Sequence, residues 1–524
     1  MLRAEFAPAP SVKIMINIGA TLDIPTGKYH RGRHGESVLN GGLAFLTGIV
    51  GIGNNFKSTV MRYMSFMGLA RIPKSTGNTY DTEVSVHENR MKKLASFIRE
   101  LGGEDIIDTG RWMVTDKTVY FGNEYYEIYK DFLKNKKKNA EKNMVETPFM
   151  ERNNQSLMKI IQPTFTEIDS FTEFETEDVA KMQDANELGE SGGNTIHMRQ
   201  GLAKLRFLME APGLNGGSYN YLLMTAHIGK ESTMQNAGPG GSVPIQKLKH
   251  LKNGDKIKGT TDKFTFITHN CWHSFNASPF TNDGTKGPEY PRSPDDNMRL
   301  DTDLNTVQIR NLRGKSGPSG LPLTLLVSQE EGVLGSLTEY HHLKEVGKYF
   351  GMGGSNISHY PELYPDCKIG RTTVRSKIDS DPKLRRALNI MVEMLQMSYL
   401  WHDLPEGLLC DPKVLYEDLK AKGYDWDMIL EQTRGWWTLD NDKPNPLLFL
   451  STMDLLNMRQ GKYHPFWLEE DKKTIKAEYR PKTLTEVLKE ETKALEDNAS
   501  NIVSLVEKKL DDARIAAIKS RKAA

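Results

Sequence analysis

Cysteine is scarce in this chain. Cys271, Cys367 and Cys410 lie far apart with no CxxC spacing, which argues against a disulfide framework and suits a reducing compartment such as the cytoplasm. Long apolar runs are missing as well. None approaches the about eighteen residues that a membrane-spanning helix needs, and the opening MLRAEFAPAPSVKIMINIGA has no apolar signal core. The expectation is a chain that is neither exported nor membrane-spanning. Net charge is nearly absent too, at +1, so any grip on nucleic acid must come from local patches rather than bulk attraction. What is present is length: 524 residues suffice for two or three domains with sizeable cores.

The most informative stretch is NGGLAFLTGIVGIGNNFKSTVMRYMSFMGLA, Asn40 to Ala70. An apolar run from Leu43 to Val50 enters a glycine-rich bend, which yields Lys57, Ser58 and Thr59 at the head of an apolar helix. This is the layout of a phosphate-binding loop, in which backbone N–H groups curl round an anion, the helix start adds partial positive charge and a lysine reaches the terminal phosphates. The usual string is GxxxxGK[ST]; Gly51, Ile52, Gly53, Asn54, Asn55, Phe56, Lys57 and Ser58 read GxxxxFKS, with one glycine missing.

Further along, strands and helices alternate. NTYDTEVSV (Asn78 to Val86) is a strand candidate carrying Asp81 and Glu83 near its end, and Glu88 to Leu101 has helical periodicity. Residues 110–155, with aromatics and the basic run KNKKKNAEK, suit an insertion or lid; the run itself suits phosphate contact or, more commonly, a solvated helix end. IIQPTFTEIDSFTEF (160–174) is a strand candidate delivering Asp169 and Ser170. YNYLLMTA (219–226) is a buried strand leading to His227 and Lys230. Strands that each end in polar groups are how a parallel sheet presents chemistry, because ligands lie beyond the strands' carboxyl ends. Residues 1–40 suit an arm or lead-in, 41–350 an α/β core, 351–480 a helical C-terminal domain and 481–524 a charged amphipathic helical tail.

Nucleotide hydrolysis at such a loop needs a metal held by the loop hydroxyl and a strand acid, and a carboxylate to orient water. Ser58 and Asp169 fit the magnesium roles, and Glu83 the water. HNCWH (269–273) puts His269, Cys271 and His273 on one strand face, where zinc binding competes with plain sheet packing as the better explanation. Trp436 and Trp437 suit base stacking or, more readily, an aromatic core or subunit contact.

In that order, GxxxxFKS at 51–58, YDTE at 80–83, TEIDSFTEF at 166–174 and LLMTAHIGKE at 222–231 resemble the RecA-type recombination ATPases, and the phage UvsX-type branch in particular. The resemblance spans about residues 35–350. It implies a RecA-like P-loop core with a mostly parallel sheet, ATP and magnesium bound between neighbouring subunits, and polymerisation on DNA. Carried over by position, Gly51 to Thr59 would cradle the phosphates, Lys57 and Ser58 would hold phosphate and magnesium, and Asp169 would hold magnesium through water. Glu83 would position the attacking water and His227 would sense the terminal phosphate. Lys247, Lys249, Lys252, Lys256 and Lys258 would charge the second DNA-contacting loop. The 186–195 segment would stand in place of the first, although it holds more acid than base. VQIRNLRGKSGPSG (307–320) resembles the segment that sends a cation into the neighbour's site, with Arg310, Arg313 or Lys315 as that cation.

These resemblances imply a DNA-dependent ATPase that forms a homo-oligomeric filament on single-stranded DNA and pairs it with duplex DNA, in the company of loader and single-strand-binding proteins. The 307–320 string also resembles the arginine-finger strand of DnaB-type replicative helicases. A ring-forming helicase is therefore the alternative enzyme, and a DNA-binding scaffold or mediator with a regulatory ATP site the alternative from another class.

Overall fold

The computed structural model describes residues 13–151, 156–185, 193–230, 249–252, 254–260, 263–296, 299–315, 317–355, 357–439 and 447–480. The first described residues are already core. Residues 14–18 are all buried, Ile14, Ile16 and Ile18 among them, and Ile16 bridges Leu43 in antiparallel fashion. A short helix α1 (Ala20–Asp23) and a hairpin of β1 (Lys28–Arg31) and β2 (Ser37–Asn40) follow. The arm expected over 1–40 is thus, from residue 13 onward, a packed part of the fold: a continuous buried run at 14–18 outweighs its Pro and Gly content.

β3 (Leu46–Gly51), buried at every position, runs into helix α2 (Lys57–Arg71). A strand covered on both faces needs a continuous apolar run rather than alternation, which is what LTGIVG approximates. β4 (Thr76–Asp81), helix α3 (Glu88–Ser96), β5 (Trp112–Asp116) and helix α4 (Gly122–Lys138) come next, then a separate hairpin of β6 (Met144–Met150) and β7 (Leu157–Ile161). β8 (Thr164–Asp169), helices α5 (Glu177–Asp184) and α6 (Gly193–Ser218), and β9 (Asn220–Lys230) complete the parallel portion apart from one strand. β10 (Asp255–Ile257) folds back on β9. Helix α7 (Lys263–Ile267) precedes β11 (Asn270–Pro279), β12 (Leu304–Gly314), β13 (Pro322–Ser328) and β14 (Gly332–Val333).

These strands build one ten-stranded sheet in the order β14-β13-β12-β11-β3-β9-β8-β4-β5, with β10 paired to β9. From β5 to β11 every neighbour is parallel; β12, β13 and β14 form an antiparallel wing. The chain is therefore mixed α/β with a large, mostly parallel central sheet. Several boundaries differ from the sequence expectation. The 110–155 insertion supplies the sheet's edge strand β5 and the helix α4 beside it, so only the β6–β7 hairpin stands apart. The 160–174 strand is split at Gln162 and Pro163, since proline lacks the N–H that a central strand needs.

The C-terminal half contributes helices α8 (Gly335–Glu345), α9 (Val374–Ser380), α10 (Pro382–Leu400), α11 (Pro412–Ala421), α12 (Trp426–Gln432) and α13 (Thr452–Arg459). α10 starts where it does because Pro382 suits the first helical position and the Asp381 carboxylate accepts from the N–H groups of Lys383 and Leu384. Its buried face (Leu384, Leu388, Met391, Leu395) joins a second apolar core with Ala20, Ile24, Leu39, Leu326 and Leu337. Each buried Leu, Ile or Met among them contributes about 1.5–3 kcal/mol. The 351–480 region is thus helical but shares its core with the N-terminal segment and the sheet wing. The expected tail at 481–524 lies outside the described residues.

Candidate functional site

β3 delivers the glycine-rich bend at the carboxyl end of the parallel strands. A Cβ on Gly51 would lie 2.5 Å from the Ser274 carbonyl oxygen of β11, so glycine is required where the two strands close together. The bend is fastened to β11: Asn55 Nδ2 donates to Ser274 O (3.0 Å) and Ser274 Oγ donates to Asn55 O (2.6 Å). Asn54 and Phe56 have positive φ, at 59° and 54°. Phe56 thus holds the left-handed conformation for which the usual string places glycine, at a cost of about 1–2 kcal/mol, while its ring packs against the first core. Ile52, Gly53 and Asn54 are exposed. Lys57 Nζ donates to Ile52 O across the bend at 2.7 Å. Burial pulls the Lys57 ammonium below its ordinary range, opposed by the charges of Asp169 and Glu83. No side chain caps α2, so its first N–H groups and their partial positive charge face the concavity.

The acids converge from the other side. β8 ends at Asp169, whose Oδ1 accepts from Thr225 Oγ1 of β9 (2.6 Å) and whose Oδ2 accepts from the Arg62 guanidinium of α2 (3.1 Å). The Asp169–Ser170 peptide is cis. Glu83 lies two residues past β4, in a loop rather than on a strand. Its Oε1 accepts from Ser170 Oγ (2.8 Å) and is 3.1 Å from His227 Nε2. His227 stands opposite Gly51 in the β3–β9 register, and its backbone N–H donates to Thr172 Oγ1 at 2.9 Å. Lys57, Asp169, Glu83 and His227 therefore meet at one edge of four neighbouring strands.

Two residues hold this cluster: Asp81, placed by sequence near a strand end but given no role, and Arg62, which sequence did not single out. The Asp81 carboxylate accepts from the N–H groups of Glu83 (3.0 Å), Ser85 (2.6 Å) and Val86 (2.6 Å), fixing the loop that presents Glu83. Its place at the end of a strand, beside Glu83, was the available signal. Arg62 gave none, because an arginine within a helix reads as a solvated face. Ser58, half-buried at the start of α2, and Asp169 offer oxygen donors, the set a hard cation such as magnesium prefers when phosphates supply the remaining ligands. Among the described residues no group of three His, Cys, Asp or Glu side chains is placed to hold a metal. HNCWH enters the sheet at Asn270: Cys271 is fully buried, its thiol pushed up to about 12 by burial, and His269 and His273 are pulled down to about 4.

The expected trans cations lie on β12, across β11 from the bend. Arg310 opposes His273 and lies over the Phe275 ring (4.8 Å), and Arg313 lies over Phe266 (4.7 Å). Lys315 Nζ donates to Ile267 O at 3.3 Å. None of the three is in an ion pair among the described residues. Arg313 is level with Gly48 through Cys271, toward the opposite edge of the sheet from the bend of its own chain. Of the DNA-side lysines, Lys247 lies outside the described residues, as does most of the 186–195 segment. Lys249, Lys252, Lys256 and Lys258 are exposed, Lys256 on β10 and Lys258 just beyond it. The 134–142 run is not uniformly solvated: Lys136 Nζ donates to Thr164 Oγ1 (2.8 Å) and Tyr219 O (3.3 Å), and burial pulls it down to about 7. Trp437 is core, edge-on to Phe149, while Trp436 lies between the guanidiniums of Arg71 and Arg434.

No helix among the described residues is long and apolar enough to cross a membrane. No protein-family model matches the sequence, and no curated protein matches it either.

Proposed function

We propose that this chain is an ATP-dependent DNA recombinase of the RecA type, closest to the UvsX-type branch, which assembles on single-stranded DNA and promotes homologous pairing and strand exchange in the cytoplasm. The observation that carries the reading is the meeting of Lys57, Asp169, Glu83 and His227 at the carboxyl edge of adjacent parallel strands. ATP phosphates would enter the bend from Gly51 to Thr59, with Lys57 leaving the Ile52 carbonyl for the terminal phosphates. Magnesium would be held by Ser58 and, through water, by Asp169, and would neutralise phosphate charge. Glu83 accepts a proton from or orients a water, and its contact with His227 gives a route by which phosphate occupancy reaches β9 and the basic segment beyond. Lys252, Lys256 and Lys258, exposed on that segment, attract the DNA backbone without reading sequence.

Arg310 and Arg313 of β12 and Lys315 just beyond it support assembly, because among the described residues none of them has a carboxylate partner within its own chain. Electron microscopy of the protein with single-stranded DNA and a non-hydrolysable ATP analogue should show open helical filaments, and a strand-exchange assay should show joint molecules. Closed six-membered rings with unwinding activity would replace this reading with a replicative helicase. Assembly on DNA without hydrolysis would leave a scaffold.

A further inference from the structure

Arg62 sits on α2 one turn after Ser58, so both side chains leave the same helix face. Its guanidinium is buried, donating through Nε to Met91 Sδ (2.9 Å) and through Nη2 to Asp169 Oδ2 (3.1 Å). The second oxygen of Asp169 is taken by the neutral Thr225 hydroxyl. Below Asp169 on the same strand, Glu167 is already engaged by Ser65 and Thr79. Among the described residues Arg62 is thus the one cation hydrogen-bonded to the acid assigned to the metal, and it is held on its far side by a thioether that provides no competing charge.

We propose that Arg62 is an internal counter-ion that sets the site's affinity for a divalent cation: it neutralises Asp169 when no metal is bound and opposes the metal's charge when one is. This inference rests on the proposed nucleotide function and deepens it. The sign follows from electrostatics. A buried carboxylate stripped of its partner destabilises the empty protein, and a divalent cation arriving beside that carboxylate then supplies the missing charge. With Arg62 in place the same cation meets a fixed positive charge nearby in a partly desolvated cleft. Each carboxylate oxygen retains a free lone pair, so the competition is one of charge and not of space.

The test is thermal unfolding of the full chain at fixed ADP with magnesium titrated. Arg62→Met should lower the melting temperature without ligand and lower the magnesium midpoint on the order of tenfold, while Arg62→Lys should keep the midpoint near that of the wild type. Arg62→Gln, neutral but still a donor, serves if the Met variant does not fold, with the same expected midpoint shift. An unchanged or raised midpoint in the neutral variants overturns the role of Arg62 and leaves the nucleotide function standing. A wild-type protein that shows no magnesium-dependent shift with ADP overturns the nucleotide function, and this inference with it.

Discussion

The two flanks of the central sheet carry opposite chemistry. On the parallel side, β8 and β4 bring Asp169, Asp81 and Glu83 to the edge beside the bend, each fixed by hydrogen bonds from neighbouring strands or loops. On the antiparallel side, β12 carries Arg310 and Arg313, with Lys315 just beyond it, none with a carboxylate among the described residues, and the two arginines rest on aromatic faces instead. Such stacking holds a guanidinium in place while leaving its N–H groups free for another acceptor. One flank has an anion-rich cleft lacking its last cation, and the other has cations lacking an anion. The difference is what the proposed assembly would use, with the cation flank of one chain meeting the acid flank of its neighbour.

The strongest way to break that comparison is to disable each flank separately and mix. A chain with Arg310, Arg313 and Lys315 all changed to Ala should lose about 10³-fold or more in turnover, as removal of a trans cation does in phosphoryl transfer. Lys57→Ala should be inactive as well. Mixed, the two should regain measurable DNA-stimulated hydrolysis, because a cation-bearing Lys57→Ala subunit can complete the intact bend of its neighbour. No recovery would place the cations outside the reaction. Next in size, Glu83→Gln should lower turnover by about 10²–10⁴-fold while nucleotide binding, followed by fluorescence of a labelled analogue, stays unchanged. Loss of binding would move Glu83 from water to ligand contact.

Asp81 acts only through Glu83. Asp81→Ala should reduce kcat by about tenfold with little change in KM, and Asp81→Asn, which keeps one acceptor oxygen, should restore part of it. A fall in KM and kcat together would mark a general disturbance of the sheet edge. The smallest effect lies away from both flanks. Glu339 is buried in the second core and its carboxyl is raised to about 8 by burial, against a lowering contribution from Asn389 and a raising one from Glu393. The folded state therefore favours the protonated form, so stability is fullest below the unfolded value near 4.5 and declines as pH rises toward about 8. Glu339→Gln should flatten that decline in melting curves taken across the same range, without altering hydrolysis.

The site was more legible in the sequence than the frame that holds it. The bend and α2 follow from an apolar run, clustered glycines and KS at a helix start, and Asp169 follows from its position at the end of a buried strand. β5 was hidden because WMVTD is short, with only Trp112 buried and Met113 exposed, so its period is that of an edge and not of a core strand. The buried isoleucines at 14, 16 and 18 were masked by the proline- and glycine-bearing segments on either side. Pro163 was the missed signal for the break before β8. Arg62 and the Arg71–Trp436 contact depend on partners hundreds of residues away or on another strand, which local pattern does not encode.

α3 leaves the Glu83 loop directly and is fastened to the sheet wing: Arg90 donates to the carbonyls of Gln329 and Glu330, and Lys93 pairs with Glu330 (2.7 Å). Glu330 and its neighbour Glu331 are in turn bound by Arg292, and Glu331 by Arg375 of α9 (2.9 Å). The helical half and the Glu83 loop are therefore mechanically continuous. Cutting the chain near 350 would strip one face from the second core and release the brace behind Glu83 at the same time. On the proposed function the C-terminal half is a keystone for the site around Glu83 rather than an exchangeable attachment, and variation in it should register first as altered turnover and only later as altered assembly.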